Sequence, residues 1–181
     1  MNASPRFIRP RVREGLITAV SFGFFFLLVG AIFVITPSLF DKVQAFFNNF
    51  TTTEAIPHLP DVFVPVPASP AAHTVVYTAA WQFSIVWSIF QIMILAFRFV
   101  VGSPLRKKAE TAGNVVFWLG ATYLIGTLLT STLLTGSRAL ENWFVFWAAI
   151  IMLIGLSIIV RAIILATGLA FHPRFADTAQ M

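Results

Sequence analysis

An all-α membrane protein is the fold class this sequence predicts: a four-transmembrane-helix bundle with an extra amphipathic surface helix and a proline-rich outer loop. Three observations carry that expectation. Four apolar stretches, at about residues 16–35, 75–101, 113–134 and 143–169, are each long enough, at 1.5 Å per helical residue, to cross a hydrocarbon core of about 30 Å. Hydrophobic residues make up 58% of the chain and charged residues only 10%. Soluble domains carry about 25% charged residues, so this chain cannot cover a water-facing surface. Finally, the basic residues gather at the borders of the apolar stretches rather than being spread along them. Residues 1–181 read as a single integral membrane domain.

The first span follows a basic segment, Met1–Glu14, that holds Arg6, Arg9, Arg11 and Arg13. A positive segment before an apolar run is also the layout of a signal peptide. The run Leu16–Ile35 exceeds the 7–15 residues of such a peptide's apolar core, and no clean small-x-small cleavage site follows. It is therefore expected to be a transmembrane helix with its N-terminus inside.

Residues 36–74 form the expected outer loop. Within it, Leu39, Phe40, Val43, Phe46, Phe47 and Phe50 recur at helical spacing opposite Asp41, Lys42, Gln44, Asn48 and Asn49. At roughly 13 residues this helix is too short to span, and it is expected on the outer membrane surface or against the bundle. Ser38-x-x-Asp41 has the pattern of a capping box at its start. Proline then dominates, with Pro57, Pro60, Pro65, Pro67 and Pro70 excluding a regular helix. The apolar residues Val62, Phe63, Val64 and Val66 suggest an extended, edge-strand or polyproline-like segment that needs a covering surface, either this bundle or a partner subunit. Asn49-Phe50-Thr51 is an N-glycosylation triplet on the same side.

The second span ends in Arg98 and the basic hinge of residues 102–112, which contains Arg106, Lys107 and Lys108. With the N-terminus inside, these residues, together with Arg161 and Arg174, fall on the inner side, leaving Lys42 and Arg138 outside. The positive-inside rule then places both termini in the cytoplasm and the protein in the plasma (cytoplasmic) membrane. Arg106, Lys107, Lys108 and Arg161 are the residues expected to meet lipid headgroups at that border. The net charge of +5 is accounted for by this border, so lipid is the expected partner of the basic residues and nucleic acid is not.

One helix face stands out chemically. Tyr77, Ser84, Ser88, Gln91 and Arg98 recur at alternating three- and four-residue spacing along the second span, with Trp81 and Leu95 completing the seam. Polar groups inside hydrocarbon must face protein or water, since an unpaired one costs several kcal/mol. The seam either bonds helices to one another or lines a narrow pathway. Small residues also recur at intervals of seven, at Gly23 and Gly30, at Gly113 and Gly120, and at Ala148, Gly155 and Ala162, a pattern that suits close left-handed helix packing.

Catalytic signals are sparse. The chain has no cysteine, and the phosphate-binding, dinucleotide-binding, nucleophile-elbow and HExxH motifs are missing from it. His58 and His73 share the outer loop with Glu54 and Asp61, so they are the candidates for a metal, although their spacing matches no known ligand pattern. No cofactor is expected. The sequence leads to a non-catalytic accessory or structural subunit of a larger multi-subunit membrane complex, with Val62, Phe63, Val64 and Val66 docking on a partner subunit. Two alternatives remain: a small oligomeric transporter or channel using the polar seam, and a metal-binding or electron-transfer subunit using the outer-loop histidines.

Overall fold

The structure is a computed structural model that describes residues 10–54, 63–130 and 139–170. Five α-helices and one short β-hairpin build it: α1 (Pro10–Ile35), α2 (Leu39–Asn48), β1 (Phe50–Glu54), β2 (Phe63–Pro67), α3 (Thr74–Val100), α4 (Leu105–Leu124) and α5 (Ala139–Ala170). A 3-10 turn, Pro70–His73, leads into α3, and a π-helical turn, Ile125–Leu129, prolongs α4. Four helices are long and apolar enough to cross a membrane, over Glu14–Ile35, Pro70–Val100, Leu105–Leu129 and Asn142–Gly168. Most of their apolar surface faces outward, as lipid-facing helices require: Phe22, Phe26, Leu27, Ile151 and Met152 are all exposed.

Neighbouring long helices run antiparallel, and the contacts that show it are made by named side chains. Along α1 and α3, Glu14 meets Arg98 at one end, Phe24 stacks on Phe90 with ring centroids 4.0 Å apart, and Phe25 meets Phe83 further on. Along α4 and α5, Gly113 lies against Ser157 and Arg161, and Gly120 against Leu153. At the very start of α4, Leu105 touches Gly168. Between α3 and α4 the chain reverses through Val101–Pro104, where Gly102 takes a φ of +70° that a side chain rarely tolerates.

Two buried clusters hold the helices. In the first, Leu28 and Ile32 of α1, Leu39 of α2, and Ala79, Trp87 and Phe90 of α3 pack together, with Trp118 of α4 against them. In the second, at the hairpin end, Val66 of β2, Tyr77, Leu129, Trp143 and Phe146 come together, with Phe46 and Phe50 closing the side. The bundle is thus zipped by aromatic rings, each burying far more area than an aliphatic side chain.

The expected outline needs four adjustments. The expected extended segment is strand β2, and it gains a partner the sequence did not indicate, pairing antiparallel with β1 so that Thr51 lies opposite Val66 and Thr53 opposite Val64. The third span starts at Leu105 rather than Gly113, so most of the expected hinge, including Arg106, Lys107 and Lys108, forms the first turns of α4. The Arg, Lys, Ala and Glu residues at the head of this apolar helix are good helix formers, so the helix begins where the charges do. The capping box is not formed either: Ser38 lies in the left-handed region (φ 54°) and makes no side-chain cap bond, since the chain turns sharply between α1 and α2 there. Lastly, α2 spans 10 residues and lies half against the bundle, with Leu39 buried while Phe40 and Phe47 are exposed.

Candidate functional site

The polar seam of α3 is the candidate site. Tyr77, Ser84, Ser88, Gln91 and Arg98 all lie on the helix face turned into the bundle, and each is less than 10% exposed. Their alternating spacing places them in one line, since 3.6 residues complete a helical turn. The seam therefore faces protein.

Its serine hydroxyls are satisfied locally. Ser84 Oγ donates to the Trp81 carbonyl at 2.8 Å, and Ser88 Oγ donates to the Ser84 carbonyl at 2.7 Å. Ser88 Oγ also lies 3.1 Å from Thr122 Oγ1 of α4, which donates to the Trp118 carbonyl at 2.8 Å. This is an interhelical hydroxyl bridge at mid-bundle, where hydrogen bonds between helices are worth about 0.6 kcal/mol. Above it, Tyr77 is sealed in the aromatic cluster, edge-on to Phe46 at 5.8 Å, and its hydroxyl has no partner among the described residues.

At the other end of the seam Arg98 ties three helices together. Its Nη1 donates to the Lys107 carbonyl of α4 at 2.8 Å, and its Nη2 lies 3.7 Å from Glu14 Oε2 of α1. Thr111 Oγ1 donates to the same Lys107 carbonyl at 2.9 Å. The Val101–Pro104 turn makes this possible by returning α4 directly beside the end of α3. Arg106 and Lys107 both pair with Glu110, at 3.2 and 2.8 Å, while Lys108 sits over the Phe99 ring at 4.8 Å. Glu110 thus offsets part of the basic charge at this end.

Arg161 of α5 crosses α4 at Gly113, where any side chain would collide with it, and its Nη2 donates to Asn114 Oδ1 at 2.6 Å. Like Arg98, it is held by the bundle and does not hang free at the border. The sequence pointed to neither Glu14 nor Asn114. No local spacing sets either apart from the polar residues near it, and only the lateral packing of helices distant in sequence identifies its partner.

The candidates in the loop between α1 and α3 separate. His73 is buried and edge-on to Phe46 at 5.2 Å, while His58 lies outside the described residues. No group of three His, Cys, Asp or Glu residues converges among the described residues. Val66 is only 1% exposed, covered by Tyr77, Leu129, Trp143 and Phe146 of its own chain. Val62 lies outside the described residues, and Phe63 and Val64 are described only as strand backbone.

Fold and site together define the class: an integral membrane protein built on a bundle of four apolar helices, with a buried polar seam. No family model matches the chain, and neither does any curated protein or solved structure.

Proposed function

We propose that this protein is a non-catalytic accessory or structural subunit of a larger multi-subunit membrane complex, seated with both termini on the cytoplasmic side. The observation that carries the reading is the closure of the polar seam. All five of its side chains are less than 10% exposed; Ser88 and Arg98 bond to α4, and Ser84 bonds to its own helix. A pathway needs polar groups turned toward water. Here they are enclosed by the bundle, with Ser88 and Arg98 bonding across to α4, which leaves the outer faces as the surfaces on which the protein acts. The exposed Arg106 and the half-exposed Lys107 support contact with anionic headgroups at the basic end.

Purification from native membranes in mild detergent tests the proposal. The expected result is a distinct membrane protein co-migrating in fixed proportion. Migration of this chain without any other protein, combined with solute flux after reconstitution into liposomes, would sink the reading in favour of a transporter.

A further inference from the structure

The closed seam is not the only periodic face of α3. Val75, Thr78, Gln82, Ile85, Ile89 and Ile92 also alternate at three- and four-residue intervals, about 110° around the helix from the buried seam at 100° per residue. This second seam is turned away from the bundle. Thr78, Gln82, Ile89 and Ile92 are exposed, and only Ile85 is half-buried. Its spacing of 3.5 residues is the coiled-coil repeat, the pattern that keeps one face of a helix against a parallel neighbour. The Ile35–Pro37 turn borders its head, and below that Ile89 and Ile92 stand exposed among the described residues.

Gln82 is out of place there. It stands eight residues beyond Thr74, roughly 12 Å along the axis of a helix that is apolar on either side of it. Its amide makes no hydrogen bond among the described residues. The exposed hydroxyls in other spans return to their own helix, as Thr18 Oγ1 does to the Glu14 carbonyl at 3.0 Å and Thr167 Oγ1 to the Ile163 carbonyl at 2.9 Å. The Gln82 amide has no such outlet. It opens instead, with Thr74 and Thr78, onto a cleft of about 310 Å³ between the head of α3 and the Ile35–Pro37 turn.

We infer that this face of α3 is the interface of a parallel homodimer, occupied by the same face of a second copy. Copies in one membrane share an orientation, so a two-fold axis between them must run along the membrane normal. Identical residues then meet at identical depth. Such a partner must match each group with itself, and the groups present do. A glutamine amide carries both donors and an acceptor, and a threonine hydroxyl can do either. Gln82 therefore finds its bond in the partner's Gln82, and the apolar positions below interlock as knobs into holes. The seam holds no charged residue that like-charge repulsion would drive apart. A single polar residue in an apolar seam also sets register, because any slip leaves an amide unpaired in hydrocarbon.

The chain's lack of cysteine makes the test clean. Single substitutions Thr78→Cys, Gln82→Cys, Ile85→Cys and Ile89→Cys are made in the full chain, with Ile151→Cys on the exposed face of α5 as the comparison. Oxidation in native membranes should give disulfide-linked dimers at the four α3 positions and little at Ile151. Adding Gln82→Leu to Ile89→Cys should lower the dimer yield about three- to tenfold, the range set by one interhelical hydrogen bond in a membrane. Gln82 makes no hydrogen bond to the described residues of its own bundle, so insertion and thermal stability of that variant should match the parent. Equal cross-linking at Ile151, its absence along α3, or capture of a different protein by the α3 cysteines would each overturn the homodimer. The result is independent of whether a larger complex co-purifies.

Discussion

Small residues do different work in this bundle depending on where they sit. The interval of seven recurs on three helices, but among the described residues only α4 uses it for packing. At Gly113 a side chain would run into Arg161, and at Gly120 into Leu153, so these glycines let α4 and α5 approach closely. A Cβ at Gly23, Gly30 or Gly155 would meet nothing within 4 Å among the described residues. The two kinds should separate on substitution. Gly120→Leu should force the helices apart at a cost of about 1–3 kcal/mol, the usual range for overpacking. Gly155→Leu should leave the bundle close to its original stability. Thermal unfolding of both variants in detergent checks this, and equal losses would remove the α4–α5 glycine contact as a packing determinant. Arg98 shows the same dependence on position: a cation near a span border could snorkel to water, yet here it is drawn inward by the Lys107 carbonyl and Glu14.

The hairpin is the element whose form local sequence came nearest to and whose role it left open. An extended segment was legible in Phe63–Pro67, where prolines exclude helix and valines favour strand. Its pairing partner, Phe50–Glu54, is a threonine-rich run with no turn signature between the two strands that would announce a hairpin. The pairing also explains the spacing of the prolines. Ala68 N–H donates to the Asn49 carbonyl at 2.8 Å, which sets the parity of the ladder so that Val64 and Val66 supply its donors. Pro65 and Pro67 then fall on the outer edge, where their missing N–H groups bar further strands from adding. Val66 anchors the hairpin to the bundle. Val66→Ala should lower stability by roughly 1–2 kcal/mol from the methyl groups lost, whereas Phe47→Ala, at an exposed ring of α2, should change it little. A thermal shift measured on the two variants side by side tests the anchor. A null effect at Val66 would mean that the hairpin does not rest on the bundle.

For the molecule as a whole, the ends of the bundle differ in kind. One holds Glu14, Arg98, Arg106, Lys107, Lys108 and Glu110, and the other holds the hairpin and its aromatic cluster. An apolar bundle with one basic end should insert with that end in the cytoplasm. A reporter inserted after Glu54 is expected outside, and one after Lys108 inside. Protease or thiol-reagent accessibility in sealed vesicles distinguishes the two sides, and a cytoplasmic Glu54 site would invert the orientation.

The class of protein was determined by local sequence, because apolar length and charge placement are properties of short windows. Four runs such as Leu16–Ile35 need only be counted to establish helices long enough to span, and a period of 3.5 along α3 needs only be read to place Ser84, Ser88 and Arg98 on one face. What that face touches was decided by tertiary structure alone. The same spacing occurs on the buried seam at Ser88 and on the exposed one at Gln82, and no local rule ranks them. Their fates differ because α4 returns beside α3 through a four-residue turn and brings Thr122 and the Lys107 carbonyl to one side only. Burial is a relation between segments distant in the chain, and so it enters only when the helices have chosen their neighbours.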